Sequence, residues 1–495
     1  MSTLTLRVQT PCPGFANDVA DVVRIFLGAL EFSVSAPDAH DEAPCGLTVL
    51  HMEESCGGRT ICRVRLSGLY EQAAEETYVP QEDALEDKRL HKRALKLAVY
   101  AAMKRATGQT PPWGSLTGIR PTRILYAAME KGLTLEQAAA EAGEVFDISR
   151  EKLALLEEII RTQSALPPVD QRAVDLYVGI PFCVSRCAYC SFLSGEIGDG
   201  ALAAPYVDAL TREISLSKAL IDKAGLSVGA VYIGGGTPTA LPAAQLKRVL
   251  DAVRPLAFGR EFTVEAGRPD TIDREKLALI RDAGATRISI NPQTMHDGTL
   301  RLIGRAHTAA QTEEAYALAR DMCFNHINMD LIAGLPGENE EMFAQTLAWA
   351  KTLHPESLTV HTLSIKRSSL LHLWQAALPD GGMVGRMVQT GRDAAHEMSM
   401  RAYYLYRQKY MAGNLENVGY ALPGHACRYN VHMMEETGHV LAMGAGAISK
   451  RVYPTGGKIT RAPNVGDIAE YIARVDEMAQ RKTALWADCL QTAEK

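Results

Sequence analysis

Three cysteines stand close together near the middle of the sequence, and their spacing could hold an inorganic cluster. Cys183, Cys187 and Cys190 follow an apolar, β-prone run, 176–180, that stops at Pro181. A strand that ends at a proline and continues as a loop is well suited to presenting ligands. A [4Fe–4S] cluster is normally held by four thiolates, so three cysteines would leave one iron without a protein ligand. The spacing therefore predicts an iron–sulfur site with one open iron.

Two other interpretations of the cysteine triplet stay open at this point. The triplet could be a zinc site, although structural zinc takes four ligands that usually come from paired clusters. The cysteines could also be three small buried residues, since free cysteine is commonly buried. Tyr189, directly before the third cysteine, favours the cluster because its ring could cover an adenine or shield the iron.

A repeating strand-then-helix pattern from residue 172 onward predicts how the triplet is positioned. Six candidate strands are separated by helical stretches, and they span residues 176–180, 230–233, 261–265, 287–291, 326–332 and 357–363. This alternation predicts an α/β fold with a parallel sheet, closed fully or partly as a (β/α)6 barrel like that of triosephosphate isomerase. In such barrels the chemistry lies at the carboxyl ends of the strands.

Glycines and polar side chains occur at or near these predicted strand ends. They are the glycine-rich segment with Gly235, Gly236 and Thr237, then Glu265, Gln293, Asp330 and the nearby Arg305. A zwitterionic, ribose-bearing cofactor such as S-adenosylmethionine (SAM) needs such a set. It needs an acid for its ammonium, an arginine for its carboxylate, and an acid and an amide for its ribose. Each residue taken singly could equally be structural.

The chain is expected to hold three domains. Residues 1–165 are predicted to form an α+β domain of unknown role, with strands at 4–8, 47–51 and 60–66. Its predicted helices span 16–30, 81–107, 123–132, 134–143 and 148–163. Residues 172–365 form the core, and residues 366–495 an α-rich extension that covers the substrate. Within this extension a helix is predicted from about 385 to 410, ending in an aromatic cluster at 403–410.

Composition limits the possible partners and compartment. The 495 residues are 47% apolar and 22% charged, with a net charge of −6, which gives no general case for binding nucleic acid or an anionic membrane. The basic part of helix 81–107 could contact RNA, but a solvated helix face is the preferred interpretation. No apolar run is long enough to span a membrane, and residues 1–7 lack a secretory signal. The ten cysteines are then expected to be reduced thiols in the cytoplasm.

Several motifs together resemble a known family. The triplet with Tyr189, the segment 234–239 and the segment 328–336 resemble the radical SAM superfamily. More narrowly, they resemble its oxygen-independent coproporphyrinogen III oxidase (dehydrogenase) family. The segments 112–123 and 403–420 are similar to the HemZ-type branch. The resemblance covers nearly the whole chain, and its motifs between 176 and 336 are highly specific.

The resemblance implies cofactors and a role for each matching residue. It implies a [4Fe–4S] cluster on the three cysteines and a SAM molecule on the open iron, with the chemistry carried by these cofactors rather than by a catalytic side chain. The implied neighbours of cluster and SAM are Tyr177 and Tyr189 beside both; Gly235, Gly236 and Thr237 at the methionine end; Glu265 and Arg305 on its ammonium and carboxylate; Gln293 and Asp330 at the nucleoside; and Ser364 and Ile448 near the adenosyl group.

The implied reaction is oxidative decarboxylation of coproporphyrinogen III to protoporphyrinogen IX, a step of porphyrin and heme biosynthesis. The implied partners are this tetrapyrrole and an electron donor such as flavodoxin or ferredoxin; nucleic acid is not expected. Two residues depart from the well-characterised branch, which has a histidine in place of Gly179 and a fourth cysteine in place of Phe192. The phenylalanine is shared with heme chaperones. A heme-binding chaperone, or a radical SAM enzyme with another substrate, therefore remains an alternative.

Overall fold

The computed structural model describes most of the chain in two compact units. The described residues are 4–28, 30–38, 46–190, 195–366, 368–374, 376, 379–408, 411–453 and 458–493. One unit lies within Met1–Glu157 and Arg407–Leu415, and the other within Glu158–Tyr406 and Glu416–Lys495. The three-domain division at 165 and 366 stays a prediction.

The first unit contains a five-stranded sheet in the order β2-β1-β3-β4-β5. Its strands are β1 (Leu4–Gln9), β2 (Leu30–Ser35), β3 (Leu47–Cys56), β4 (Arg59–Gly68) and β5 (Gln72–Tyr78). The helices that begin in this unit are α1 (Ala16–Leu27), α2 (Ala84–Thr107), α3 (Thr122–Met129), α4 (Leu135–Phe146) and α5 (Arg150–Ser164). Apolar side chains of β1, β3, β4, α1 and α2 form one core. The predicted strands and helices of this region are present, and β2 and β5 were not predicted.

Helix α2 shows how local sequence sets an element's limits. Asp83 accepts hydrogen bonds from the backbone N–H groups of Leu85 and Glu86, which caps the amino end. Gly108, with φ +68°, ends the helix in the left-handed region. Of the basic side chains that follow, Lys92 pairs with Asp18 at 3.0 Å, and Lys104 lies 2.6 Å from a carboxylate of the same unit. Part of the basic face is thus neutralised within the unit.

The second unit is built on an eleven-stranded sheet in the order β14-β15-β13-β12-β11-β10-β9-β6-β16-β17-β18. Its first strands are β6 (Ala173–Ile180), β9 (Ser227–Gly235), β10 (Glu261–Gly267), β11 (Arg287–Ile290), β12 (Ile327–Ala333) and β13 (Ser357–Thr362), and a separate short pair is β7 (Phe182–Cys183) with β8 (Gly195–Glu196). The six long strands are the six predicted ones, and they lie side by side and parallel. The predicted α/β fold with a partial barrel is confirmed.

Helices connect these strands in the predicted alternation. They are α6 (Ala203–Lys223), α7 (Ala243–Ala257), α8 (Arg274–Asp282), α9 (Asp297–Leu302), α10 (Ala309–Asp321) and α11 (Glu340–Thr352). Because every connection returns the chain to the same end of the sheet, the carboxyl ends of β6 and β9–β13 share one edge. This edge carries the predicted site.

The chain after residue 366 adds helices and five more strands to the same sheet. They are α12 (Leu370–Leu373), α13 (Gly381–Glu397), β14 (Arg401–Tyr406), β15 (Asn417–Ala421), α14 (Arg428–Glu435), β16 (His439–Met443), β17 (Ile448–Val452), β18 (Ile459–Pro463), α15 (Ile468–Ala473), α16 (Val475–Leu485) and α17 (Ala487–Ala493). Strand β16 lies parallel to β6, while β15 runs antiparallel to β13.

The predicted helix from 385 to 410 is wrong in its second half. Helix α13 ends at Glu397, and the aromatic run that follows forms β14, paired antiparallel with β15. Tyr403 and Tyr404 are buried in this strand, where bulky aromatic side chains pack well against neighbouring strands. Residues 409 and 410 of the predicted cluster lie outside the described residues. Among the residues that the structure describes, no helix is both long and apolar enough to cross a membrane.

Candidate functional site

The cysteine loop begins where β6 ends. Cys183 is the last residue of the short strand β7, and Cys187 and Cys190 follow in a turn in which the Cys190 N–H donates to the Cys187 carbonyl at 3.1 Å. The Ala188 N–H donates to the Ile303 carbonyl at 2.9 Å. The loop is therefore held against the segment that follows α9, and it presents its three thiols at the carboxyl edge of the sheet.

Two further contacts fix the start of this loop. Gly304 has φ +77°, and a Cβ there would lie 3.0 Å from the Arg186 carbonyl oxygen, so a side chain would push the loop away. The buried guanidinium of Arg268 donates to the Ser185 carbonyl at 3.1 Å and pairs with Asp270 at 2.9 Å. The loop backbone is thus positioned before any cofactor binds.

The glycine-rich segment after β9 packs directly on the first cysteine. The N–H groups of Gly236 and Thr237 donate to the carbonyls of Ile180 and Phe182 at 2.8 and 2.7 Å. The Thr237 hydroxyl lies 3.6 Å from the Cys183 sulfur. A Cβ on Gly236 would lie only 2.5 Å from the Phe182 carbonyl oxygen, so this position needs glycine. The segment forms a bare-backbone cradle beside the cysteines.

Glu265 lies next to this cradle on β10. Its carboxylate accepts hydrogen bonds from the Tyr232 hydroxyl and from the backbone N–H of Gly235. Burial raises the pKa of Glu265 to about 7; the hydrogen bond from Tyr232 opposes this rise and the charge of Asp330 adds to it. A cationic ligand group would favour the ionised form. Glu265 is therefore suited to receiving an ammonium.

Arg305 contacts the second half of the cysteine loop. It is buried, and its guanidinium donates to the Asn291 carbonyl at 2.6 Å and to the Tyr189 hydroxyl at 3.3 Å. The guanidinium also donates to the sulfur of Cys187. Burial raises the pKa of the Tyr189 phenol, which stays protonated. A permanent positive charge beside the thiols can pair with thiolates or with a ligand carboxylate.

Gln293 follows β11, and Asp330 lies on the neighbouring strand β12. Gln293 is buried with φ +71°, a left-handed conformation that is uncommon for a residue with a side chain, and its Oε1 makes no hydrogen bond within the described residues. Burial alone would raise the pKa of Asp330, but hydrogen bonds from His361 and Asn328 outweigh it and lower the pKa. An ionised acid and an unpaired amide oxygen are suited to polar groups of a nucleoside.

The remaining predicted residues are Tyr177, Ser364 and Ile448. Tyr177 on β6 is in register with Tyr232 on β9, and their rings are 6.5 Å apart. Ser364 follows β13, and Ile448 is the half-exposed first residue of β17. The nearby Gly444 crosses β6 so closely that a Cβ would lie 2.4 Å from a backbone oxygen.

The residues present fit a cluster and SAM. The donor set offers three thiols on one loop, a partly buried acid, a buried guanidinium and a glycine cradle. The unpaired Oε1 of Gln293 adds a buried acceptor with no partner among the described residues. Cys183, Cys187 and Cys190 would hold the cluster, and the flanking polar groups would hold the amino acid and nucleoside of SAM.

Three polar residues that contact the predicted acids of the site were not predicted from the sequence. Tyr232 donates to Glu265, Asn328 donates to Asp330 at 2.8 Å, and His361 lies 3.6 Å from the same carboxylate. The signal for Tyr232 is its position two residues before Gly234 in a strand, since residues two apart share one face. His361 and Asn328 gave no comparable signal, because their contacts depend on strand register.

Comparisons with known proteins agree with this fold. Residues 177–350 match the family described as the radical SAM superfamily. The fold and the site thus define a radical SAM protein, a class that uses a [4Fe–4S] cluster and SAM. Over 397 residues the chain is 41% identical to the oxygen-independent coproporphyrinogen-III oxidase-like protein HemZ of Bacillus subtilis (strain 168), covering 78% of this chain and 79% of that protein. The chain belongs to this HemZ family, as the motifs predicted.

Two further relatives bear on function. The heme chaperone HemW of Escherichia coli (strain K12) is 31% identical over 294 residues, which cover 59% of this chain and 72% of HemW. The solved structure of coproporphyrinogen III oxidase (HemN) from Escherichia coli, a radical SAM enzyme, is similar with a TM-score of 0.50 and 25% identity. That similarity covers 65% of this chain and 72% of HemN. The surrounding family is therefore tetrapyrrole-related.

Proposed function

We propose that this protein oxidatively decarboxylates coproporphyrinogen III to protoporphyrinogen IX in the cytosol. The observation that carries the proposal is the convergence, at one sheet edge, of the cysteine loop, the glycine cradle and Glu265 in a chain of the HemZ family. These are the groups that a SAM-dependent reaction at an open iron needs.

In this proposal each side chain binds, orients or shields. The three cysteines hold the cluster, Glu265 receives the SAM ammonium, and Arg305 pairs with its carboxylate. Gln293 and Asp330 orient the nucleoside. When bound, the cluster and SAM would supply a 5′-deoxyadenosyl radical able to take one hydrogen atom from a propionate side chain. Each of the two reacting propionates would then lose carbon dioxide and one electron and become a vinyl group, so a one-electron acceptor is required.

A basic side chain lies where a propionate could bind. Lys366 follows β13, close enough to Cys190 for their charges to interact, and burial lowers the pKa of its ammonium. Within the described residues its ammonium makes no hydrogen bond or ion pair. A half-buried cation beside the cysteine loop is suited to a substrate carboxylate, which would stabilise its charged form. We assign this substrate-positioning role to Lys366. We assign the role of electron donor to a flavodoxin or ferredoxin.

A second candidate function is heme binding and delivery, and the similarity to HemW favours it. Gly179 departs from the well-characterised branch, and a Cβ there would lie 3.2 Å from the Tyr177 ring and 3.4 Å from the Met443 carbonyl oxygen. The histidine that the well-characterised branch has at this position would need those neighbours to move. Phe192, the other departure, lies outside the described residues.

An anaerobic turnover assay separates these functions. The reconstituted protein is given reductant, SAM and coproporphyrinogen III, and 5′-deoxyadenosine and tetrapyrroles are followed together by mass spectrometry. We expect two successive losses of carbon dioxide and two hydrogens, none of them with Cys187→Ala. Deoxyadenosine without any tetrapyrrole change would remove the substrate assignment and keep the radical chemistry. Stable heme binding with neither product would favour the chaperone.

A further inference from the structure

A second cluster of metal-ligating side chains lies in the first unit, apart from the three cysteines described above. His51, Glu53, Cys62 and His91 each direct one ligand atom to a common point, and these four atoms all lie within 4.8 Å of one another. We propose that they bind one Zn²⁺ ion. This site uses none of the residues assigned to the cluster, SAM or substrate.

Strand register brings three of the four residues together. His51 and Glu53 are two apart on β3, so they share one face of the sheet. Cys62 on β4 is paired directly with Glu53. His91, from α2, reaches the same point, where its Nε2 lies 2.5 Å from the Glu53 carboxylate. The site therefore joins a hairpin to a helix of the same unit.

The two ring nitrogens of His51 differ in their hydrogen bonding, and the difference points to a cation. Its Nδ1 lies 2.9 Å from the Thr10 hydroxyl, whereas its Nε2 is fully buried and makes no hydrogen bond within the described residues. With the proton on Nδ1, the Nε2 lone pair faces a carboxylate oxygen of Glu53 at 3.2 Å. Two acceptors at this distance repel each other unless a proton or a cation lies between them.

The donor set selects the metal. Two imidazole nitrogens, one thiolate and one carboxylate oxygen suit Zn²⁺, which prefers four such ligands in a tetrahedron. Ideal zinc bonds of about 2.0–2.3 Å place the ligand atoms about 3.3–3.6 Å apart. Pairs that lie as far apart as the 4.8 Å limit would contract by about 1.2–1.5 Å, and the His91 and Glu53 ligand atoms, now 2.5 Å apart, would separate by about 1 Å. With four protein ligands the site is closed, which is typical of a structural ion.

Neighbouring groups already orient the ligands. The Thr10 hydroxyl lies 2.9 Å from His51 Nδ1, where it can accept the Nδ1 proton of the tautomer that leaves Nε2 free for a metal. The Cys12 thiol donates to the Glu53 carboxylate at 3.4 Å. The ring of Tyr78 stacks on that of His91 at 5.2 Å between centroids. Outer contacts of this kind commonly fix the ligands of zinc sites.

Zinc binding is tested on the full-length protein with its iron–sulfur cluster in place, so that the three cluster cysteines are occupied. Zinc per chain is measured by elemental analysis after equilibration with Zn²⁺, and affinity by competition with a chromophoric chelator. We expect one zinc per chain in the unmodified protein and in Cys56→Ser, an exposed cysteine of the same hairpin. We expect Cys62→Ala and His91→Gln to weaken zinc binding by roughly 100-fold, and Thr10→Val by about 10-fold.

The zinc K-edge absorption spectrum then identifies the ligands without interference from iron. We expect one sulfur neighbour at about 2.3 Å with the remaining nitrogen and oxygen neighbours at about 2.0–2.2 Å. Equal zinc content and affinity in Cys62→Ala and Cys56→Ser would overturn the proposal, as would a spectrum with three sulfur neighbours. The His91 side chain is 13% exposed, whereas Cys62 is fully buried, so His91→Gln keeps the test decisive if Cys62→Ala does not fold. Iron content measured on the same samples keeps this result separate from the proposed function.

Discussion

The backbone of Gly234 lies directly against the carboxylate of Glu265: a Cβ on Gly234 would be 2.8 Å from Glu265 Oε2 and 3.0 Å from the ring of Tyr232. The two residues lie on neighbouring parallel strands, β9 and β10. The absence of a side chain at 234 therefore lets Glu265 take the position in which Tyr232 and the Gly235 N–H bind it. Glycine at position 234 therefore leaves room for the Glu265 carboxylate of the neighbouring strand.

Gly234→Ala is expected to displace the Glu265 carboxylate and weaken SAM binding. The alanine Cβ would lie 2.8 Å from Glu265 Oε2, which is shorter than a normal van der Waals contact. The Glu265 carboxylate is held there by two hydrogen bonds. Loss of one such charge-assisted contact corresponds to about 10- to 100-fold in affinity. The change in SAM affinity is measured by equilibrium dialysis of SAM against the reconstituted protein. Gly385→Ala, a helical glycine of α13 with open space around it, should bind SAM normally.

Glu265→Gln is expected to stabilise the SAM-free protein at alkaline pH while weakening SAM binding. The pKa of Glu265 is raised to about 7, so the folded state binds this proton more tightly than the unfolded state. The carboxyl therefore lowers stability as pH rises above about 4.5, and the loss is complete above about 7. Gln does not titrate and can still accept a hydrogen bond from Tyr232. Relative to the unmodified protein, the free energy of unfolding of Glu265→Gln should rise by about 3 kcal/mol at pH 8 and by less than about 1 kcal/mol at pH 5.

The gain in stability is measured as the difference in unfolding midpoint between Glu265→Gln and the unmodified protein at each pH. The exposed Glu314→Gln, on α10, is the matched control and should show no pH-dependent difference. Equal midpoint differences at pH 5 and pH 8 would contradict the raised pKa.

Cys187→Ala is expected to abolish the iron–sulfur cluster. With only two thiols left on the loop, the cluster lacks the ligands that hold it, and Arg305 loses its sulfur contact. Iron and sulfide content and visible absorbance after anaerobic reconstitution measure the loss. Cys323→Ser changes an exposed cysteine in the turn before β12 and should leave iron content unchanged. Full iron content in Cys187→Ala would remove this residue from the ligand set.

Lys366→Gln is expected to raise the KM for coproporphyrinogen III by about 10-fold, the effect of losing one charge-assisted hydrogen bond to a carboxylate. Uncoupled SAM cleavage, measured as 5′-deoxyadenosine without substrate, should change little. Lys351→Gln, which removes an exposed lysine paired with Glu397 on α13, is the control. A KM equal to that of the control would show that Lys366 does not contact the substrate.

Sequence alone predicted the parts of this protein that are encoded locally. The cysteines lie within eight residues, so any fold that exposes their loop brings the thiols together. The six parallel strands were predicted because period-2 and period-3.6 patterns alternate clearly along 172–365. The family followed from these same local motifs and is confirmed by 41% identity to HemZ.

Tertiary structure decided the contacts that cross between elements. The aromatic run at 403–406 has a composition compatible with either a helix or a strand, and only pairing with β15 makes it a strand. The contact of Tyr232 with Glu265 depends on the register of β9 and β10. His51, Glu53, Cys62 and His91 span forty residues and match no metal-binding spacing, yet strand pairing and the position of α2 place their ligand atoms together. Spacing along the chain determines which side chains come together within one loop. Strand register and helix packing determine which side chains come together from different elements.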